Sequence, residues 1–203
     1  GKLVVWFVYY GNDLHENLLP NTGTYRMPYV RRRADDDDWE VVTDHVNPEP
    51  WPFKAPTSYH SIMANFSCPT SFSRRVFSAC EFLISEAVDV CREAGAVLAV
   101  VGVPDRVQLT RRGQAKLRRL APTKEDFDVE TPDRELERIS QRLGGPFVSL
   151  RPYLNPTDYL VHDIHWRRSG HRKVGKILSQ LYADLEPDLG VRSADVEPSR
   201  VAI

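Results

Sequence analysis

Leu3-Val4-Val5-Trp6-Phe7-Val8-Tyr9-Tyr10 is an unbroken run of apolar, β-branched and aromatic residues of strand length. It shows no alternation, so it predicts a strand buried on both faces, as in a parallel sheet. Ala96-Val97-Leu98-Ala99-Val100-Val101-Gly102-Val103 repeats that pattern, and Phe147-Val148-Ser149-Leu150 gives a shorter third strand. Between them the period changes. Val76, Cys80, Leu83, Ala87, Val90 and Ala94 recur at steps of three and four, predicting a helix from Ser73 to Ala94 with Ser71 or Ser73 as its cap and Gly95 past its end. Thr131 and Pro132 open a second helix, with Thr131 as N-cap and Leu136, Ile139 and Leu143 facing inward, and Gly144-Gly145 closes it. Val174, Ile177, Leu178, Leu181 and Leu185 mark the last. Helices alternating with buried strands define an α/β chain, each helix carrying a right-handed crossover between parallel strands.

Residues 14–70 break this rhythm. Leu14 to Gly23 reads as a loop by its Asn, Pro and Gly content. Tyr25–Val30 and Trp39–Thr43 read as two hairpin arms joined through Arg31-Arg32-Arg33-Ala34 and the four aspartates 35–38, a solvated turn in which three arginines face four carboxylates. Pro48, Pro50, Pro52 and Pro56 then interrupt regular structure. An excursion of this length is a candidate lid or selectivity element within a domain spanning 1–186, and a loose Pro-, Asp- and Ser-rich tail is expected over 187–203.

Composition narrows the function classes. Twenty-seven basic and 28 acidic residues leave a net charge of −1, so no global field favours nucleic acid or a membrane surface. The basic stretch Arg106, Arg111, Arg112, Lys116, Arg118, Arg119 lacks interleaved aromatics and reads as a solvated helix face. The longest apolar run, residues 3–10, is too short to span a bilayer, so no transmembrane segment is expected in this chain. Cys68, Cys80 and Cys91 lack metal-ligand spacing, and Cys80 and Cys91 fall on the apolar helix face as small core residues. No Gly-rich phosphate loop or Cys/His cluster is present, so neither cofactor nor metal is expected. Asn65-Phe66-Ser67 fits a glycosylation acceptor but is assigned no role.

Candidate chemistry concentrates at two places. His162-Asp163-Ile164-His165-Trp166 stands just before the last helix, with Gly170-His171 following. A carboxylate two residues before an imidazole can set its tautomer and orientation, which is the base half of a nucleophilic triad. At the other end Gly11-Asn12-Asp13 closes the first strand, the position where open α/β sheets place ligands, and an Asn amide there can donate to a developing oxyanion. Asp105, after the second long strand, is a turn residue that can also face this cleft.

In these residues and in their order the chain resembles the SGNH (GDSL-type) hydrolase family. Gly11-Asn12-Asp13-Leu14 is similar to the family's third block, which supplies an oxyanion-hole Asn, although the family's glycine commonly stands one residue earlier, where this chain has Tyr10. Asp163-Ile164-His165-Trp166 is similar to the last block, with the shorter Asp-x-His-Trp spacing of acetyltransferases related to alginate O-acetylation. The resemblance implies a three-layer α/β/α sandwich with a flavodoxin-like parallel sheet, here short of its first strand and helix. It implies a serine esterase whose triad is completed by Asp163 and His165, with Asn12 and Gly11 in the oxyanion hole. The nucleophile is not identifiable: Ser61, Ser67, Ser71 and Ser73 fall outside the family's order, and the serine block belongs upstream of residues 3–10. The expectation is therefore half an active site, completed by a missing segment or a separate N-terminal chain, acting on a small-molecule or glycan ester. Two alternatives share these residues: acyl transfer to a sugar or natural-product hydroxyl, for which Trp166 is the hint, and a non-catalytic SGNH-like binding module.

Overall fold

The computed structural model describes residues 1–19, 21–22, 25–26, 28–35, 38–43, 59–161, 163–187 and 189. Strand β1 (Lys2–Tyr9) is followed by the single turn α1 (Asp13–Glu16), then by the short ladder of β2 (Asn21–Thr22) with β3 (Tyr25–Arg26) and the hairpin of β4 (Tyr29–Arg32) with β5 (Trp39–Val42). Next come α2 (Tyr59–Phe66), α3 (Ser71–Glu93), β6 (Ala96–Val103), α4 (Arg111–Leu120), α5 (Thr131–Arg142), β7 (Phe147–Ser149) and α6 (Arg168–Leu185).

The three apolar runs form one parallel sheet in the order β1-β6-β7. Lys2 stands opposite Ala96 and Tyr9 opposite Val103, so the first two strands run in register along their whole length. A sheet that grows in one direction through crossovers of one hand must carry its connecting helices on one face. That is the packing found. Trp6, Val8, Leu98 and Val100 meet α3 and α5 through Val76, Cys80, Ile84, Leu136 and Ile139. Residues of the opposite parity, Val5, Phe7, Val101 and Val103, meet α6 through Val174, Ile177 and Leu178. The molecule is thus mixed α/β, with helices on both faces of a three-stranded parallel sheet.

Several expectations need correction. Leu14 to Glu16 is helical, because Asn12 turns the chain and its carbonyl accepts from both His15 and Glu16. The hairpin forms, but its first arm begins at Tyr29, while Tyr25 and Arg26 pair back onto Asn21 and Thr22. Arg31 lies within the ladder, directly opposite Glu40 and 2.7 Å from its carboxylate, and Arg32 lies over the ring of Trp39. Tyr59–Phe66 is a helix inside the supposedly irregular third. In it Asn65 donates to the Ser61 carbonyl, and the neighbouring Phe66 and Ser67 are buried. Thr70, not a serine, caps α3 by accepting from the Ser73 amide at 3.0 Å. Thr131 is the first helical residue of α5 and not its cap. The four prolines 48–56, His162 and residues 190–203 lie outside the described residues, and of the expected tail Leu189 is buried.

A buried polar cluster ties the carboxyl ends of β1 and β7 to α5. Asp133, in the first turn of α5, accepts from the Tyr10 hydroxyl at 2.7 Å, from the Ser149 hydroxyl, and from both Nε and Nη2 of Arg151 at 2.7 Å. Burial, and then the Asp133 charge, push the Tyr10 phenol well above its ordinary range, so it stays a donor.

Candidate active site

The loop that presents Asp163 and His165 is held at its base. Tyr159 and Trp166 form an isolated antiparallel bridge, and the Leu160 amide donates to the His165 carbonyl at 3.0 Å. The Tyr159 hydroxyl donates to the Pro104 carbonyl at 2.6 Å, and Arg106 Nη1 donates to the Val161 carbonyl at 2.6 Å, so two bonds fasten the loop to the end of β6. Trp166 packs edge-on against Phe7 of β1 at 6.0 Å and against His171 at 5.5 Å. Gly170 allows that closeness, since a Cβ there would stand 2.9 Å from both the Asp158 carbonyl oxygen and the Trp166 Cβ. On this base His165 Nδ1 lies 2.6 Å from Asp163 Oδ1, which also accepts the His165 amide at 3.2 Å. The two-residue spacing works because the carboxylate folds back over its own turn. These bonds to His165 hold the Asp163 carboxyl below its ordinary range. The imidazole itself projects outward, with 74% of its side chain exposed.

Asp158 anchors the same loop from below. Its carboxylate is buried and accepts from the Asn155 amide at 2.9 Å and from Lys173 Nζ of α6 at 2.6 Å. Burial opposes its ionisation, but the Lys173, Asn155 and Ser169 donors outweigh it and the pKa falls below the ordinary value. Ionised Asp158 therefore stabilises the fold above the usual carboxylate range, and that contribution disappears as pH falls through its depressed native value. Asp158→Asn is expected to lower the urea midpoint at pH 7 and to flatten the acid limb of stability against pH. An unchanged acid limb would show that Lys173 does not hold the carboxylate.

At the end of β1 the geometry is tight. A Cβ on Gly11 would stand 1.8 Å from the Tyr59 hydroxyl and 2.3 Å from the Tyr9 ring, so only glycine fits beneath these two phenols. Tyr59 donates to the Tyr9 hydroxyl at 2.9 Å, and Tyr9 donates to Asp105 Oδ2. Burial first, then Asp105, raises the Tyr9 phenol far above its ordinary range, and burial pushes Tyr59 up to about 12. Asp105 does both things expected of it: it caps the 3-10 turn Arg106–Leu109, accepting from Val107 at 2.6 Å, and it lines a cleft. Asn12 is turned toward α1, where its amide donates to Glu16 Oε2 at 2.8 Å and its own Oδ1 is buried without a partner among the described residues.

One open cleft of about 520 Å³ lies at the carboxyl ends of β1 and β6, lined by Tyr59, His60, Asp105, Arg106, Val107, Thr110, Val161, Asp163 and Ile164. Tyr59 belongs both to this cleft and to the corner over Gly11. Of the predicted site residues Asp163 lines this cleft, while Gly11, Asn12 and His165 are not among its lining residues; Tyr59, lying over Gly11, is the link between the two places. Of the candidate serines, Ser67 and Ser73 are buried and donate to the Met63 and Cys68 carbonyls, Ser61 lies in α2, and Ser71 opens α3. Among the described residues none of them bonds His165. Cys68, Cys80 and Cys91 are buried free thiols, and no group of three or more His, Cys, Asp or Glu among the described residues could hold a metal. No described helix is long and apolar enough to cross a membrane.

Sequence reasoning did not find Tyr9, Tyr59 or His60, and it placed Arg106 on a solvated helix face, whereas Arg106 precedes helix α4, in the 3-10 turn that ends at Leu109, and is fastened to the Val161 carbonyl. For Tyr9 a signal existed, since the parity of β1 puts it on the same face as Phe7 at the strand's carboxyl end. Nothing local marks Tyr59. No protein-family model matches the chain, and no curated protein or solved structure matches it.

Proposed function

We propose that this chain carries the base and oxyanion half of a serine acyl-transfer site of the SGNH hydrolase type. The observation that supports it best is Tyr59, whose hydroxyl lies over Gly11 while its side chain lines the cleft that holds Asp163. In this reading His165 Nε2 takes the proton from a serine hydroxyl and returns it to the leaving alcohol. Asp163 keeps the Nδ1 proton in place and stabilises the imidazolium. Asn12 swings from Glu16 to donate, with the Gly11 backbone, to the tetrahedral oxyanion. The serine comes from outside this chain, on a strand laid along β1. There the described residues leave one edge of β1 without a paired strand, and Val4 is 42% exposed. The substrate is a small-molecule or glycan ester, hydrolysed by water.

A fluorophosphonate, which marks activated serines, tests this when applied to the complete enzyme and read by intact and peptide mass. The expected adduct sits on a serine outside these 203 residues, and ester turnover stops with labelling. An adduct within this chain would overturn the placement of the nucleophile. Absence of both adduct and turnover would favour a binding module.

A further inference from the structure

The cleft beside His165 contains an arginine with an unused binding edge. Arg106 spends Nη1 on the Val161 carbonyl at 2.6 Å and reaches the Leu160 carbonyl at 3.5 Å, which holds the guanidinium in one place. Among the described residues its Nε and Nη2 have no partner, although two carboxylates line the same cleft. Those carboxylates are engaged elsewhere: Asp105 with Val107 and Tyr9, and Asp163 with His165. The Nε–Nη2 edge is the fork that grips an oxyanion through two parallel bonds, and prior anchoring lowers the ordering cost of using it.

The neighbouring groups are donors of the same kind. Lys116 Nζ lies 3.4 Å from His60 Nδ1. An ammonium only donates, so Nδ1 accepts and the ring proton sits on Nε2. Burial and Lys116 both keep His60 neutral, which fits that tautomer. The Thr110 oxygen accepts the Gly113 amide at 2.9 Å, which frees its hydroxyl proton. Lys116 also adds positive charge behind His60.

We propose that this cleft binds an oxyanion, a carboxylate, sulfate or phosphate, carried on the alcohol half of the ester, with Arg106 as the fork and His60, Thr110 and Lys116 around it. The assignment to the alcohol half rests on the acyl-transfer reading, because His165 returns its proton on the side where the leaving alcohol stands. Binding itself needs no nucleophile.

The test is therefore a ¹⁵N NMR titration of the 203-residue chain with D-glucuronate and, in parallel, with D-glucose. Glucuronate is expected to shift the Arg106 Nε–H, Thr110 and Ile164 signals, and glucose to leave them in place. Arg106→Lys, which keeps the charge but loses the fork, should weaken glucuronate by about tenfold. Lys116→Gln, which leaves the Val161 clamp and the Asp163–His165 pair alone, should weaken it by about threefold. Equal responses to the two sugars, shifts confined to another face, or no loss in either variant would overturn the oxyanion site. If glucuronate binds here while the complete enzyme turns over no ester, the site stands and the acyl-transfer reading falls. If esters turn over but glucuronate does not bind, only the oxyanion site falls.

Discussion

Replacing His165 by alanine is expected to lower ester turnover of the complete enzyme by about 10⁴- to 10⁶-fold while leaving the protein folded. On the proposed acyl-transfer mechanism the loss is large because one imidazole would both take the nucleophile's proton and supply the leaving group's, leaving only the residual catalysis of binding and the oxyanion hole. The fold should tolerate the change because the side chain is 74% exposed and its bonded partner Asp163 is itself 46% exposed. Exposed substitutions of this kind stay within about 0.5 kcal/mol. The informative comparison is kcat against the urea midpoint in the same preparation. A large fall in kcat at an unchanged midpoint supports the triad. Unchanged turnover removes His165 from the chemistry altogether, and a midpoint that falls with activity would mean the residue holds the loop and not the proton. Asp163→Asn should give a smaller but still large loss, about 10⁴-fold, by favouring the wrong tautomer.

The largest effect on stability is expected at Asp133. Asp133→Ala strips the acceptor from the Tyr10 and Ser149 hydroxyls and leaves the Arg151 guanidinium, with only 13% of its side chain exposed, without its counter-charge. Breaking a largely buried ion pair by removing one partner costs about 3–5 kcal/mol, because the remaining charge is neither solvated nor paired. Asp133→Asn keeps an acceptor for Tyr10 and should recover part of that loss. Urea unfolding with an unchanged slope measures both, and a cost near zero for the alanine variant would show that water reaches Arg151. The cluster sits where β1, β7 and α5 meet, so its loosening should also blur the register that places Gly11 beneath Tyr59.

How legible this chain is depends on the range of the interaction involved. The parallel strands β1 and β6 and helix α3 were readable to within about two residues, because a doubly buried strand and a half-buried helix each write a local period into the sequence. Asp163 and His165 were readable for a similar reason, being two residues apart and able to bond within one turn. The short helix Tyr59–Phe66 was not, since eight residues carry little periodicity and its surroundings are irregular. Thr70 outcompeted the two serines as the cap of α3 because Ser73 turned inward to the Cys68 carbonyl, a choice made by packing.

By itself, then, the sequence determined the α/β alternation, the buried character of the sheet and the composition of the two half-sites. Tertiary structure alone decided that Tyr59, lying over Gly11, also lines the cleft that holds Asp163. The connection runs through Tyr59 over Gly11, Tyr9 against Asp105 and Arg106 clamped on Val161, pairs separated by 48, 96 and 55 residues. No local pattern encodes such pairs, because each becomes favourable only after chain closure around the sheet has brought its members within hydrogen-bonding distance.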